Sequence, residues 1–93
     1  MTKNGTGQTD AVSRRTLEIL REVTGEREVL ADMELPLYTS GLLDSLGTVT
    51  LMVAFEQAFG LTISPAEFDK EAWATPRAMV ADIERRVSGA SAA

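Results

Sequence analysis

Residues 44–59 read Asp44-Ser45-Leu46-Gly47-Thr48-Val49-Thr50-Leu51-Met52-Val53-Ala54-Phe55-Glu56-Gln57-Ala58-Phe59. At about 100° per residue, Thr48, Leu51, Met52, Phe55 and Phe59 fall on one side of a helix. This broad face holds both of the segment's aromatics and is the core face. Leu46, Val49 and Val53 remain, at i, i+3 and i+7. They form a second apolar stripe, rotated by about 135–140° from the first. A surface helix of a small domain needs only one such stripe. The second stripe either packs under another part of the chain or is a docking face for partner proteins.

The flanking sequence supplies more helices. Gly60 stops the segment at its C-terminal end. Upstream, Val12, Thr16, Ile19, Leu20 and Val23 keep the helical period, which predicts a helix over about Asp10 to Thr24, with Thr9 or Asp10 as cap and Gly25 as stop. Downstream, Ser64-Pro65-Ala66-Glu67 has the form of a capping box with proline at the first helical position, and predicts a short helix from Pro65 to Lys70. Thr75-Pro76 repeats the cap-plus-proline device and opens a helix to about Val87, with Met79, Val80, Ile83 and Val87 in register. Between the first two helices lies a long connection, Glu26 to Leu43. It is rich in apolar residues, as expected of a loop pinned to the core. The whole is an all-α, four-helix domain over residues 9–87. A polar lead-in at 1–8 and a small-residue tail at 88–93 are expected to be disordered and flexible.

Composition narrows the chemistry. The 93 residues include no cysteine and no histidine. That excludes a disulfide framework, a Cys/His zinc site, and a Cys or His nucleophile–base pair. The net charge is −5. It is concentrated in residues 26–71, where nine acids face only Arg27 and Lys70. Such a segment attracts basic partner surfaces and argues against nucleic acid. No apolar run reaches membrane-spanning length and no signal-peptide core is present, which points to the cytoplasm.

Ser45 follows Asp44 at the start of the two-striped helix. A serine there is ordinarily a helix cap. It has no histidine to activate it, so no catalytic role is assigned to it or to any other residue, and no metal site is expected. Its hydroxyl is well placed for modification by a phosphate ester, whose charge would lie beside the free N–H groups and positive end of the helix.

Leu42-Leu43-Asp44-Ser45-Leu46 resembles the phosphopantetheine attachment motif of acyl carrier proteins. The longer run Gly41 to Val49, with Glu67-Phe68-Asp69 and Trp73-Ala74-Thr75-Pro76, resembles the stand-alone D-alanyl carrier proteins in particular. The likeness spans residues 12 to 87. It implies an acyl-carrier-like bundle whose long first loop packs on the helices and whose short third helix borders the partner face. It implies that Ser45 carries 4′-phosphopantetheine, added from coenzyme A by a phosphopantetheinyl transferase, and that aminoacyl groups ride on its thiol as thioesters. Asp44, Leu46, Val49, Thr50 and Val53 would contact the partners. These would be a stand-alone adenylating enzyme that loads an amino acid and an acyltransferase or downstream carrier that collects it, each meeting a monomeric carrier.

The segment before Gly41, Leu37-Tyr38-Thr39-Ser40, and Leu46 depart from the usual D-alanyl pattern. With the Arg/Ala-rich composition they favour a specialised, polyketide-type pathway. D-alanylation of cell-wall polymers is the alternative. A fatty-acid or polyketide acyl carrier is a further one, and a non-carrier helical interaction domain is the reading from a different class.

Overall fold

A computed structural model of the chain describes residues 7–92. It contains four α-helices: α1 (Gly7–Thr24), α2 (Glu28–Ala31), α3 (Ser45–Phe59) and α4 (Pro76–Ala92). Two 3-10 turns, Pro65–Glu67 and Lys70–Trp73, lie between α3 and α4. Among the described residues there is no strand. The fold is the all-helical bundle that the periodicity implies, with α1 packed on both α3 and α4.

Each long helix buries the stripe its sequence marks out. Val12, Thr16, Ile19 and Leu20 of α1 are buried, and so are Met79, Val80 and Ile83 of α4. The Thr16 hydroxyl is accommodated by donating to the Val12 carbonyl at 2.7 Å. Gly25 and Gly60 end α1 and α3 with φ of 73° and 69°, a conformation that costs a side-chain-bearing residue more. The helices are longer than the patterns alone suggest. α1 begins at Gly7, so Thr9 and Asp10 lie inside it and neither is its cap. α4 continues past Val87 to Ala92. Polar and small residues weaken an apolar period without blocking an α turn, which in a helix interior is chiefly proline's effect. Of the expected lead-in and tail, residues 1–6 and Ala93 lie outside the described residues.

The long connection is built into the core. Val29, Leu37 and Leu43 are buried, and α2 forms a single turn around Val29. Backbone bonds tie it to the α4 end of the bundle. Leu37 N–H donates to Ala74 O at 2.9 Å, and Arg77 N–H to Met33 O at 3.0 Å. Arg77 also pairs with Glu34.

Residues 64–73 depart from expectation. In place of one short helix, Phe68 and Asp69 are extended between the two 3-10 turns. Ser64 makes no capping bond, so the anticipated box does not form; Asp69 instead accepts the Glu71 N–H at 3.0 Å. Packing explains the break. The extended pair brings Phe68 onto Trp73, with ring centroids 4.4 Å apart, and Trp73 meets Phe55 edge-on at 5.4 Å. Packing the partly buried Phe68 onto the buried Trp73 and Phe55 outweighs the bonds of one helical turn. The expected Thr75 cap does form, its hydroxyl accepting Ala78 N–H at 3.1 Å.

Candidate functional site

The first turn of α3 is held by its neighbours on both sides in sequence. Asp44 is the N-cap, extended at φ −136° and ψ −170°, and its carboxylate accepts the Gly47 N–H at 2.8 Å. Ser45 is therefore the first helical residue and not the cap. The duty a serine usually performs at such a position is done by Asp44, and the exposed Ser45 hydroxyl is spared it. Gly47 leaves this turn uncrowded on the Leu43 side. A Cβ there would lie 3.2 Å from the Leu43 side chain and 3.4 Å from the Asp44 carboxylate.

Asp44 is also fixed from below. Its carbonyl accepts both the N–H and the hydroxyl of Thr48, at 2.9 and 2.8 Å. The Thr48 oxygen in turn meets the Tyr38 hydroxyl at 2.6 Å. Burial pushes the Tyr38 phenol above its ordinary value, and the bond with Thr48 offsets only part of that. Lys70 sits 5.2 Å over the Tyr38 ring. In the sequence Thr48 is only a member of the core face and Tyr38 only a departure from the D-alanyl pattern. The available signal was a lone hydroxyl on an apolar stripe, with the chain's single tyrosine ten residues upstream.

The electrostatics suit an anion at Ser45. The Ser45 and Leu46 amides begin the helix without intrahelical acceptors, α3 has no acidic residue in its first turn, and the Asp44 charge is turned onto Gly47. The residues present thus fit a phosphate-linked group on the Ser45 oxygen.

The two stripes of α3 separate cleanly. Thr48, Leu51, Met52 and Phe55 are buried. Leu46 is 75% exposed, and Val49 and Val53 are each 47% exposed. Neither the long connection nor another helix covers them. Thr50 lies exposed beside them, its hydroxyl donating to Leu46 O at 2.9 Å. Asp82 of α4, which no periodicity marks, is a buried carboxylate. It accepts the Trp73 indole N–H at 2.9 Å and pairs with Arg85 and Arg86. Among the described residues no group of acidic side chains could hold a metal ion, and no helix is long and apolar enough to cross a membrane.

Comparison with known proteins bears on the same turn. Residues 14–83 match the family described as "Phosphopantetheine attachment site". The D-alanyl carrier protein of Lacticaseibacillus casei (strain BL23) is 37% identical over 76 residues, covering 82% of this chain and 94% of its own. That of Listeria welshimeri is 38% identical over 74 residues, 80% of this chain and 95% of its own. That of Enterococcus faecalis is 37% identical over 73 residues, 78% and 94% of the two chains. The chain belongs to the acyl carrier protein family, whose members are built around a covalently held phosphopantetheine, and within it is similar to the D-alanyl carrier type.

Proposed function

We propose that Ser45 takes the 4′-phosphopantetheine and that the carrier's cargo is D-alanine destined for a cell-wall polymer. The observation that carries the attachment site is the exposed Ser45 hydroxyl at the first turn of α3, relieved of capping by Asp44. When bound, the group supplies a thiol for thioester formation, which this cysteine-free chain lacks. The chain's own part is presentation. α3 holds Ser45 at a positive helix end, Asp44 precedes it, and Leu46, Val49 and Val53, with Thr50 beside them, offer a footing to each enzyme in turn. Those enzymes are a phosphopantetheinyl transferase, a stand-alone adenylating enzyme and an acyltransferase, met by a monomer in the cytoplasm.

The departures at Thr39, Ser40 and Leu46 favour a specialised polyketide-type cargo. All three are exposed and leave the core and the Asp44 cap intact. Similarity to D-alanyl carriers over most of both chains supports D-alanine more strongly. A fatty-acyl cargo is disfavoured because Phe55, Trp73, Met79 and Ile83 fill the space between the helices.

Intact-mass measurement after incubation with coenzyme A and a broad-specificity phosphopantetheinyl transferase should give one cofactor increment. In Ser45→Ala the increment should vanish while the melting midpoint holds. A persisting increment in that variant moves the site elsewhere; none in the parent chain removes the carrier reading. The holo-protein should then accept D-alanine from a D-alanine-adenylating enzyme. Exclusive acceptance of another amino acid would return the specialised reading to first place.

A further inference from the structure

The strap from Leu37 to Leu43 runs beside the N-terminal end of α3. Its base is closed by backbone bonds, Leu37 N–H to Ala74 O and Leu43 N–H to Leu37 O, both 2.9 Å. Side chains also join it to α3 through Tyr38. The direction of that contact follows from proton counting. A threonine hydroxyl has one proton, and the Thr48 proton goes to the Asp44 carbonyl, which can only accept. The Tyr38 hydroxyl is therefore the donor at 2.6 Å. The result is a one-way chain: Tyr38 O–H to Thr48 O–H to the carbonyl of Asp44, the residue bonded to Ser45.

We propose that Tyr38 is a positioning residue of the attachment site: through Thr48 it holds the Asp44 peptide, and so the Ser45 hydroxyl, in the single orientation the modifying enzyme uses. The Thr48 side chain is buried, so without Tyr38 its oxygen lone pair has no solvent donor to turn to. The ring itself is separately placed, packed against the core and lying under Lys70. Removing the hydroxyl alone therefore tests the relay without removing the ring.

The inference rests on Ser45 as the attachment residue, and the experiment keeps the two apart. Steady-state phosphopantetheinyl transfer from coenzyme A is measured on the full apo chain, well below each variant's melting midpoint. Tyr38→Phe should lower kcat about three- to ten-fold, the span of one lost hydrogen bond, with KM for the carrier unchanged. Thr48→Val should do the same and Thr48→Ser should restore the rate. The Tyr38→Phe/Thr48→Val pair should be no slower than the worse single variant, as for two members of one relay. Unchanged kcat in Tyr38→Phe overturns the proposal. So does a loss confined to KM, equal rates in Thr48→Ser and Thr48→Val, or multiplying losses in the double variant. Cofactor gained by Ser45→Ala would instead overturn the choice of serine.

Discussion

The two faces of α3 carry residues of similar hydrophobicity and meet opposite fates. One face sends Leu51, Met52 and Phe55 into the bundle beside Trp73. The other leaves Leu46, Val49 and Val53 in solvent. Periodicity alone ranks them only by breadth. Volume and partnership decide between them, because the buried face holds the larger side chains and an edge-on aromatic contact. The exposed face is narrow, is largely β-branched and begins one residue after Ser45. On the proposed reading, in which Ser45 is modified, these apolar residues kept in water at its edge are a surface for partner contact.

The sharpest way to break this contrast is to cut the buried face. Phe55→Ala removes a ring that touches both Trp73 and Phe59. It should lower the unfolding free energy by about 3–5 kcal/mol, measured by urea titration. A chain of this size commands about 5–14 kcal/mol in total, so the variant should be close to unfolded at 37 °C at the lower end of that range. A loss under about 1 kcal/mol would mean that the aromatic cluster is not the keystone of the core.

Val49→Asp and Val53→Asp probe the opposite face. Each should change stability by no more than about 0.5 kcal/mol, as exposed substitutions do. Each should raise KM for the partner enzymes about tenfold or more, roughly 1.4 kcal/mol of lost association. Thermal denaturation and loading kinetics on the same samples separate the two effects. If either aspartate unfolds the domain as Phe55→Ala does, the stripe is core and the contrast between the faces collapses.

What was legible in the sequence follows the same division. Thr48, Leu51, Met52 and Phe55 announce their helix because a 3.6-residue period is written directly into apolar spacing. The burial of Val29, Leu37 and Leu43 was expected from the apolar content of the long connection. The two 3-10 turns were not legible, because Trp73 is fixed by a tertiary contact with Phe55 of α3, and Phe68 packs onto it at the expense of the local signal of Ser64-Pro65-Ala66-Glu67. The same limit hid Asp82, whose partner Trp73 lies nine positions away on another element. Sequence placed the helix start at Asp44 or Ser45. Only side-chain geometry shows that Asp44 caps and Ser45 is presented.

Thr48 is the polar member of the buried face, and it gives the smallest and most local test. Tyr38 is the only tyrosine, so its ionisation can be followed by tyrosinate absorbance. In urea it should titrate near the ordinary value of about 10. In the folded chain it should titrate higher, because burial disfavours the phenolate. Thr48 can stabilise that phenolate only by turning its proton away from the Asp44 carbonyl, which keeps its offsetting effect small. The sign for stability follows. Above about pH 10 the unfolded chain gives up this proton first, so deprotonation favours unfolding. The contribution of Tyr38 is fully present below that pH and is lost as pH rises through the folded value. Tyr38→Phe should therefore flatten the alkaline limb of the stability profile. A folded-state midpoint at or below that in urea would mean that the Tyr38 hydroxyl faces water and that the buried face of α3 ends at Leu51.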